Sequence, residues 1–288
     1  MKDYIVRGIA ANGTVRAFAV DTREMARHAA EVHQTYPVVT AALGRLLSAG
    51  AMMGSMMKGD KDIITLTIKG DGPIGSITVT ADSHGNVKGF PGNPAVDIPV
   101  KYPGKLDVGG AVGRGTLTVV MDLGLAEPYN GMIELQTGEI GDDLAYYFTV
   151  SEQTPSAVGL GVMVDTDCRV KHSGGFIIQM MPDVQEETIA AIESRLATVS
   201  SVTDMFEQGM SAEDILQSIL GDLGLEITDK QPVQFYCNCS KEKVSSALAT
   251  IQKKDLQEII DAGEDIEVKC FFCNKAYNFS VDELKALN

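Results

Sequence analysis

The sequence contains no uninterrupted apolar run that approaches the ~20 residues needed to cross a bilayer. It is poor in positive charge: 24 Lys and Arg stand against 39 Asp and Glu, a formal net charge of −15. A protein that works by neutralising phosphates carries a basic face, so nucleic acid is not an expected partner. The N-terminus, MKDYIVRGIAANG, lacks the basic start and apolar core of a signal peptide, and the expectation is a chain that stays where it is made. Histidine is scarce. His28 and His33 lie five residues apart on one expected helix, a poor metal spacing, His84 adjoins Gly85 in an expected turn, and His172 shortly precedes a Gly-Gly pair. None has an evident catalytic partner. Glycine-rich GGAVGRG (109–115) matches neither the phosphate loop nor the dinucleotide fingerprint and reads as a tight turn. Neither a hydrolytic nor a transfer site is expected.

What the chain does contain is an alternation of strand and helix patterns over residues 1–181. Residues 3–20 alternate, with Asn12-Gly13 as the turn of a hairpin. Thr22 opens a helical stretch and Pro37 a second one, PVVTAALGRLLSAGAMMGSMM. Short strands broken by Gly and Asp follow in IITLTIKGDG, GSITVTADSHG and NVKGF, then in GTLTVVMDLG and GMIELQTGEI. A helix around DDLAYYFTVSEQ precedes the runs AVGLGVMVD and GGFIIQMM. Hairpins and meanders dominate over βαβ units, so the fold class is α+β, with an N-terminal core domain of mixed sheet and helix. The four methionines of MMGSMM (52–57) face the core more readily than they form an adaptable surface. Cys168, between two strand-like runs, is expected to be a buried, inert thiol.

Residues 182–230 differ in character. From Asp183 to Asp229 eleven acidic residues face a single base, Arg195, and apolar residues recur at helical spacing. Ser211 and Asp214 make a weak capping box. Gly209, Gly221 and Gly224 interrupt the pattern, so these short helices of like charge depend on docking to stay folded. The segment reads as an acidic helical linker; an ordinary acidic surface of the main domain is the alternative.

Residues 231–288 form a third, C-terminal unit. Two helical patterns, KEKVSSALATI and KDLQEIIDAG, lie between cysteine pairs, and a last helix carries a capping box of Ser280 and Glu283. The pairs are Cys237-x-Cys239 and, after thirty intervening residues, Cys270-x-x-Cys273. Crowded thiols in a chain of this kind read as a metal or a redox site rather than a disulfide scaffold. Four thiolates saturate tetrahedral zinc, and Lys241, Lys243, Lys269 and Lys275 stand beside them to offset the charge. A unit this small has little core, so metal binding is expected to supply much of its folding energy. The spacing fits a purely structural zinc site as well as a redox-switched one, although a close pair is also able to close a disulfide. A thioredoxin-like role for Cys270-Phe-Phe-Cys273 is disfavoured, because Cys273 runs into a turn and a strand instead of opening a helix. A zinc-ribbon nucleic-acid binder is disfavoured by seven basic against nine acidic side chains in this unit.

These residues resemble the redox-regulated heat-shock chaperones of thirty-three kilodaltons, the thirty-three-kilodalton chaperonin family. FYCNCSKEKV and VKCFFCNKAYNFSVDEL look like its two zinc half-sites, and the run from GTLTVVMDLG to SAVGLGVMVD, followed by GGFIIQMMP, resembles its N-terminal core. The resemblance implies a bacterial, cytoplasmic, ATP-independent holdase that is not an enzyme. It implies a client-binding and dimerising core (1–181), a linker (182–230) and a redox-switch zinc domain (231–288). It further implies one zinc ion on Cys237, Cys239, Cys270 and Cys273 in the reduced, inactive state. Oxidation pairs Cys237 with Cys239 and Cys270 with Cys273, releases zinc and activates binding of unfolding clients, typically as a homodimer. Cys168 lies outside that set.

Overall fold

The computed structural model of the chain describes residues 2–251 and 253–287. It divides into two compact units, Met1–Phe235 and Tyr236–Asn288.

In the first unit, β1 (Tyr4–Ala10) and β2 (Val15–Asp21) form the expected hairpin, closed by a single turn in which Asn12 and Gly13 take positive φ. Two helices follow, α1 (Arg23–His33) and α2 (Pro37–Ser55). Thr22 precedes α1 but does not cap it: its hydroxyl bonds Ser48 (2.7 Å) and Ser173 (2.8 Å). The cap comes instead from Asp3, whose carboxylate accepts the Glu24 and Met25 amides at 3.0 and 2.6 Å. The antiparallel meander β3 (Ile63–Gly70), β4 (Ser76–Asp82) and β5 (Asn86–Pro91) comes next, then short α3 (Val108–Val112). The stretch read as a tight turn is therefore a helical turn ending at Gly113, where φ is +76°. After it come β6 (Gly115–Asp122), β7 (Tyr129–Glu134), α4 (Gly141–Val150), β8 (Ser156–Val164) and β9 (Val170–Met180).

The strands make two sheets, ordered β10-β1-β2-β9-β8 and β11-β5-β4-β3-β6-β7, where β10 spans Glu226–Pro232 and β11 Gln234–Phe235. Helix α2 lies between them. Every residue after Pro37 is buried, and its side chains meet Ile64, Leu66, Ile68 and Val79 of one sheet and Val20, Val162 and Ile177 of the other. Among the described residues it is the one helix long and apolar enough by composition to cross a membrane, so the chain does contain a near-spanning run, used here as a core helix. Met52 and Met53 are buried and Met56 and Met57 pack half-buried on the same core. Leu46→Ala in this helix is expected to cost about 2–5 kcal/mol, because the sheets on either side hold the cavity open; the urea midpoint is the measurement.

The second face of the five-stranded sheet buries Tyr4, Val6, Ala17, Phe176 and Ile178 against three acidic helices, α5 (Glu186–Leu196), α6 (Val202–Glu207) and α7 (Ala212–Leu220). Their apolar positions, Ile192, Val202, Met205, Phe206, Ile215 and Ile219, all point inward. The Ser211–Asp214 capping box forms, and Arg195 pairs with Asp222. Close approach is permitted at Gly161 of β8, where a Cβ would meet Thr203 at 2.9 Å and Val202 at 3.1 Å. The end of the segment read as helical linker is β10, an exposed edge strand paired antiparallel with β1 (Tyr4↔Pro232 to Ile9↔Glu226). This pairing, with the parallel contact Gln234↔Asn86, holds residues 226–235 to the first unit, so the compact division falls after Phe235 rather than after 230.

Cys168 corrects its expectation. It is exposed, in the β8–β9 turn, with φ +63° and its amide donating to the Asp165 carbonyl at 2.9 Å. The Asp-Thr-Asp run before it is turn chemistry, and that carries the thiol out of the sheet.

The second unit holds α8 (Lys241–Leu248), α9 (Lys253–Ala262), the hairpin β12 (Ile266–Lys269) and β13 (Ala276–Phe279), and α10 (Val281–Lys285) with its Ser280–Glu283 capping box. Among the described residues its buried core is five side chains: Leu256, Ile260, Tyr277, Phe279 and Leu284.

Candidate metal centre

Cys237 and Cys239 lie in the extended stretch before α8. In extended chain, residues two apart share a side; both cysteines are half-buried while Asn238 between them is exposed. Ser240 then caps α8 by accepting the Lys243 amide, ending the extended run. Cys270 and Cys273 flank the turn joining β12 to β13. The Cys270 amide donates to the Lys275 carbonyl (3.0 Å), the Asn274 amide to the Cys270 carbonyl (2.8 Å), and Asn274 takes φ +55° to close the loop.

The two half-sites converge. All four Sγ atoms lie within 4.8 Å of one another, with Cys237–Cys270 at 3.7 Å and Cys239–Cys273 at 3.4 Å. All are free thiols. A tetrahedral ion with metal–sulfur bonds of about 2.3 Å separates its ligands by about 3.8 Å, so the four sulfurs are spaced as such a cage requires. With no carboxylate or imidazole in the set, the donors are uniformly soft, which favours zinc, copper(I) or iron–sulfur chemistry over hard cations.

Burial raises the Cys237 and Cys273 thiols, and for Cys273 the neighbouring thiols add to the rise. Burial also raises Cys239, but hydrogen bonds outweigh it, that from the Tyr277 hydroxyl (3.1 Å) foremost, and pull it down to about 7. The lysines expected to offset ligand charge are engaged locally. Lys241 pairs with Glu283 (2.6 Å), Lys243 donates to the Asn238 carbonyl between two ligands (3.0 Å), Lys269 pairs with Glu267 (3.4 Å), and Lys275 sits over the Tyr277 ring at 5.3 Å. Tyr277 escaped the sequence reading; the only local signal was its place four residues after Cys273. The histidines belong to the first unit, where His33 bonds the Gly89 carbonyl, His84 the Asp60 carbonyl, and His172 Glu207.

A model of the Hsp33 protein family matches residues 3–280 of this chain. The chain is 62% identical over 287 residues to the 33 kDa chaperonin of Agathobacter rectalis, covering 100% of both. It is 54% identical over 285 residues to that of Lachnoclostridium phytofermentans, covering 99% of this chain and 98% of the relative. The crystal structure of the 33 kDa chaperonin (heat shock protein 33 homolog) from Thermotoga maritima matches with a TM-score of 0.91 at 36% identity, over 100% of this chain and 98% of that one. Four converging thiols in a small tail, a sheet-and-helix core and a family match over residues 3–280 lead to one conclusion: the chain belongs to the Hsp33 family of chaperones.

Proposed function

We propose that this protein is a cytoplasmic, redox-regulated, ATP-independent holdase and not an enzyme, with residues 236–288 as its switch. The carrying observation is the convergence of four sulfurs in a unit whose buried core is five side chains. Cys237, Cys239, Cys270 and Cys273 would hold one zinc ion, which when bound supplies folding free energy to the tail. In the reduced state the tail is closed and the protein inactive. Peroxide oxidises Cys237 with Cys239 and Cys270 with Cys273: each pair of thiolates gives up two electrons, one S–S bond forms, and one peroxide takes up two protons from solvent and becomes two waters. No thiolate then remains to ligate, zinc is lost, and the tail unfolds.

Residues 182–230 act as the linker in this reading. Their helices present apolar faces to the five-stranded sheet and polar, acidic faces outward. Undocked, both the helix faces and the sheet surface around Phe176 and Ile178 become the kind of apolar patch that captures unfolding chains. The active form is a homodimer, and its partners are partly unfolded client proteins. A thiol oxidoreductase is the competing reading, distinguished by disulfide turnover.

The test measures zinc release, free thiols and suppression of client aggregation before and after peroxide with mild heat. Suppression is expected to appear only after oxidation, together with zinc loss and without disulfide turnover. Equal suppression by the reduced, zinc-loaded protein would rule out the gate.

A further inference from the structure

The geometry points to Tyr277 as a positioning residue for the switch, whose hydroxyl holds the Cys239 sulfur and so sets both metal affinity and the reactivity of that one thiol. This rests on reading the four cysteines as a zinc switch, and deepens it. Tyr277 lies in β13 with its side chain toward the tail's interior, packed with Leu256, Ile260, Phe279 and Leu284. Its hydroxyl donates to Cys239 Sγ at 3.1 Å, and the Lys275 ammonium lies over its ring at 5.3 Å. One side chain thus belongs to the hydrophobic core at its ring and to the sulfur cluster at its oxygen.

Two consequences follow from that placement. Hydrogen bonds from beyond the ligand set orient a metal ligand, and their removal typically weakens binding about 10- to 100-fold. A hydroxyl donating to Cys239 Sγ also changes how that sulfur meets peroxide or an alkylating agent, and so sets Cys239 apart from Cys270. The oxidation step is the one written above, in which peroxide is the oxidant. Tyr277 is not consumed and changes only how readily Cys239 enters it.

The experiment compares the reduced full chain with Tyr277→Phe, which keeps the ring and removes the oxygen. Phe279→Leu serves as a control that loosens the same core without touching sulfur. Zinc affinity is measured by chelator competition, and iodoacetamide labelling of each cysteine is followed by mass spectrometry, with and without zinc. Tyr277→Phe is expected to bind zinc about 10-fold more weakly and to shift the Cys239-to-Cys270 labelling ratio severalfold, whereas Phe279→Leu raises all four rates together. A wild-type ratio in Tyr277→Phe overturns the inference, and so does the same ratio change in Phe279→Leu. Absence of zinc from the wild-type protein would refute the functional reading instead, and the ratio in the metal-free protein would still decide the role of Tyr277.

Discussion

Reduced protein carrying Cys270→Ser is expected to lose its metal and unfold residues 236–288, while the core of residues 1–181 keeps its structure. Among the described residues the tail fully buries Leu256, Ile260, Tyr277, Phe279 and Leu284. At about 1.5–3 kcal/mol for each buried side chain, that core is of the same order as the apparent ~10–16 kcal/mol that zinc contributes in small peptides. Conformational entropy opposes both, so losing the metal removes about half of the favourable side. Cys270 also anchors the β12–β13 turn through its amide and carbonyl, but serine preserves those backbone bonds, so the loss is that of the sulfur. Metal content and amide hydrogen exchange are the measurements. Unchanged stoichiometry and unchanged protection in 236–288 would count against a metal-dependent tail. Residues 1–181 are insulated because α2 between the two sheets supplies a core of its own.

The second large effect lies far from the cysteines. Glu139 lies in the loop before α4, which Asp143 organises by accepting the amides of Gln136, Thr137 and Ile140 at 2.7–2.9 Å. The Glu139 carboxylate meets Arg45 of α2 at 2.8 Å, Lys101 at 2.8 Å and Lys105 at 3.2 Å. Arg45 and Glu139 are 9% and 14% exposed in their side chains, so this is an interior pair, whereas Lys101 is 47% exposed and its pairing is screened by solvent. Burial alone would raise the Glu139 carboxyl; Lys101, Arg45 and Lys105 outweigh it and hold it at about 2, against an ordinary 4.5. Glu139→Gln leaves the Arg45 guanidinium buried without a counter-charge. Breaking such a pair costs about 3–5 kcal/mol, and the lower end applies here because the Glu139 carbonyl still accepts from Arg45 (3.1 Å). The pH dependence has a defined sign. A carboxyl depressed in the folded state stabilises fully above its unfolded value and loses that contribution as pH falls through its folded value. The gap in urea midpoint between wild type and Glu139→Gln is therefore expected to be full above pH 4.5 and to close between about 4.5 and 2. A gap that is constant down to pH 2 would show that the charge is not what Glu139 contributes.

Signals that act between near neighbours were legible in the chain. The Asn12-Gly13 hairpin, the threonine-alternating strands from Ile63 to Asp82, the Ser211–Asp214 and Ser280–Glu283 capping boxes and the two cysteine pairs all rest on contacts a few residues apart. The four cysteines were found because sulfur at that spacing has few other uses. Contacts across long stretches of chain were not legible. Asp3 caps a helix twenty-one residues on, and Arg45 finds Glu139 ninety-four residues on. Tyr277 reaches a sulfur thirty-eight residues away, and a polar run at Glu226 turns out to be a strand because β1 offers it an open edge. Cys168 stands between two strand-like runs, yet the turn at Asp165 carries it outside.

Residue chemistry and spacing were sufficient to place the sulfurs, the acidic helical stretch and the α+β pattern, since each depends on forces that act within one or two turns of chain. Packing alone decided that a near-membrane-length apolar helix is buried as a core helix, that the acidic helices lie with their apolar sides on a sheet, and that a tyrosine donates to one sulfur. Burial and pairing at those places are properties of surfaces that exist only once distant segments have met.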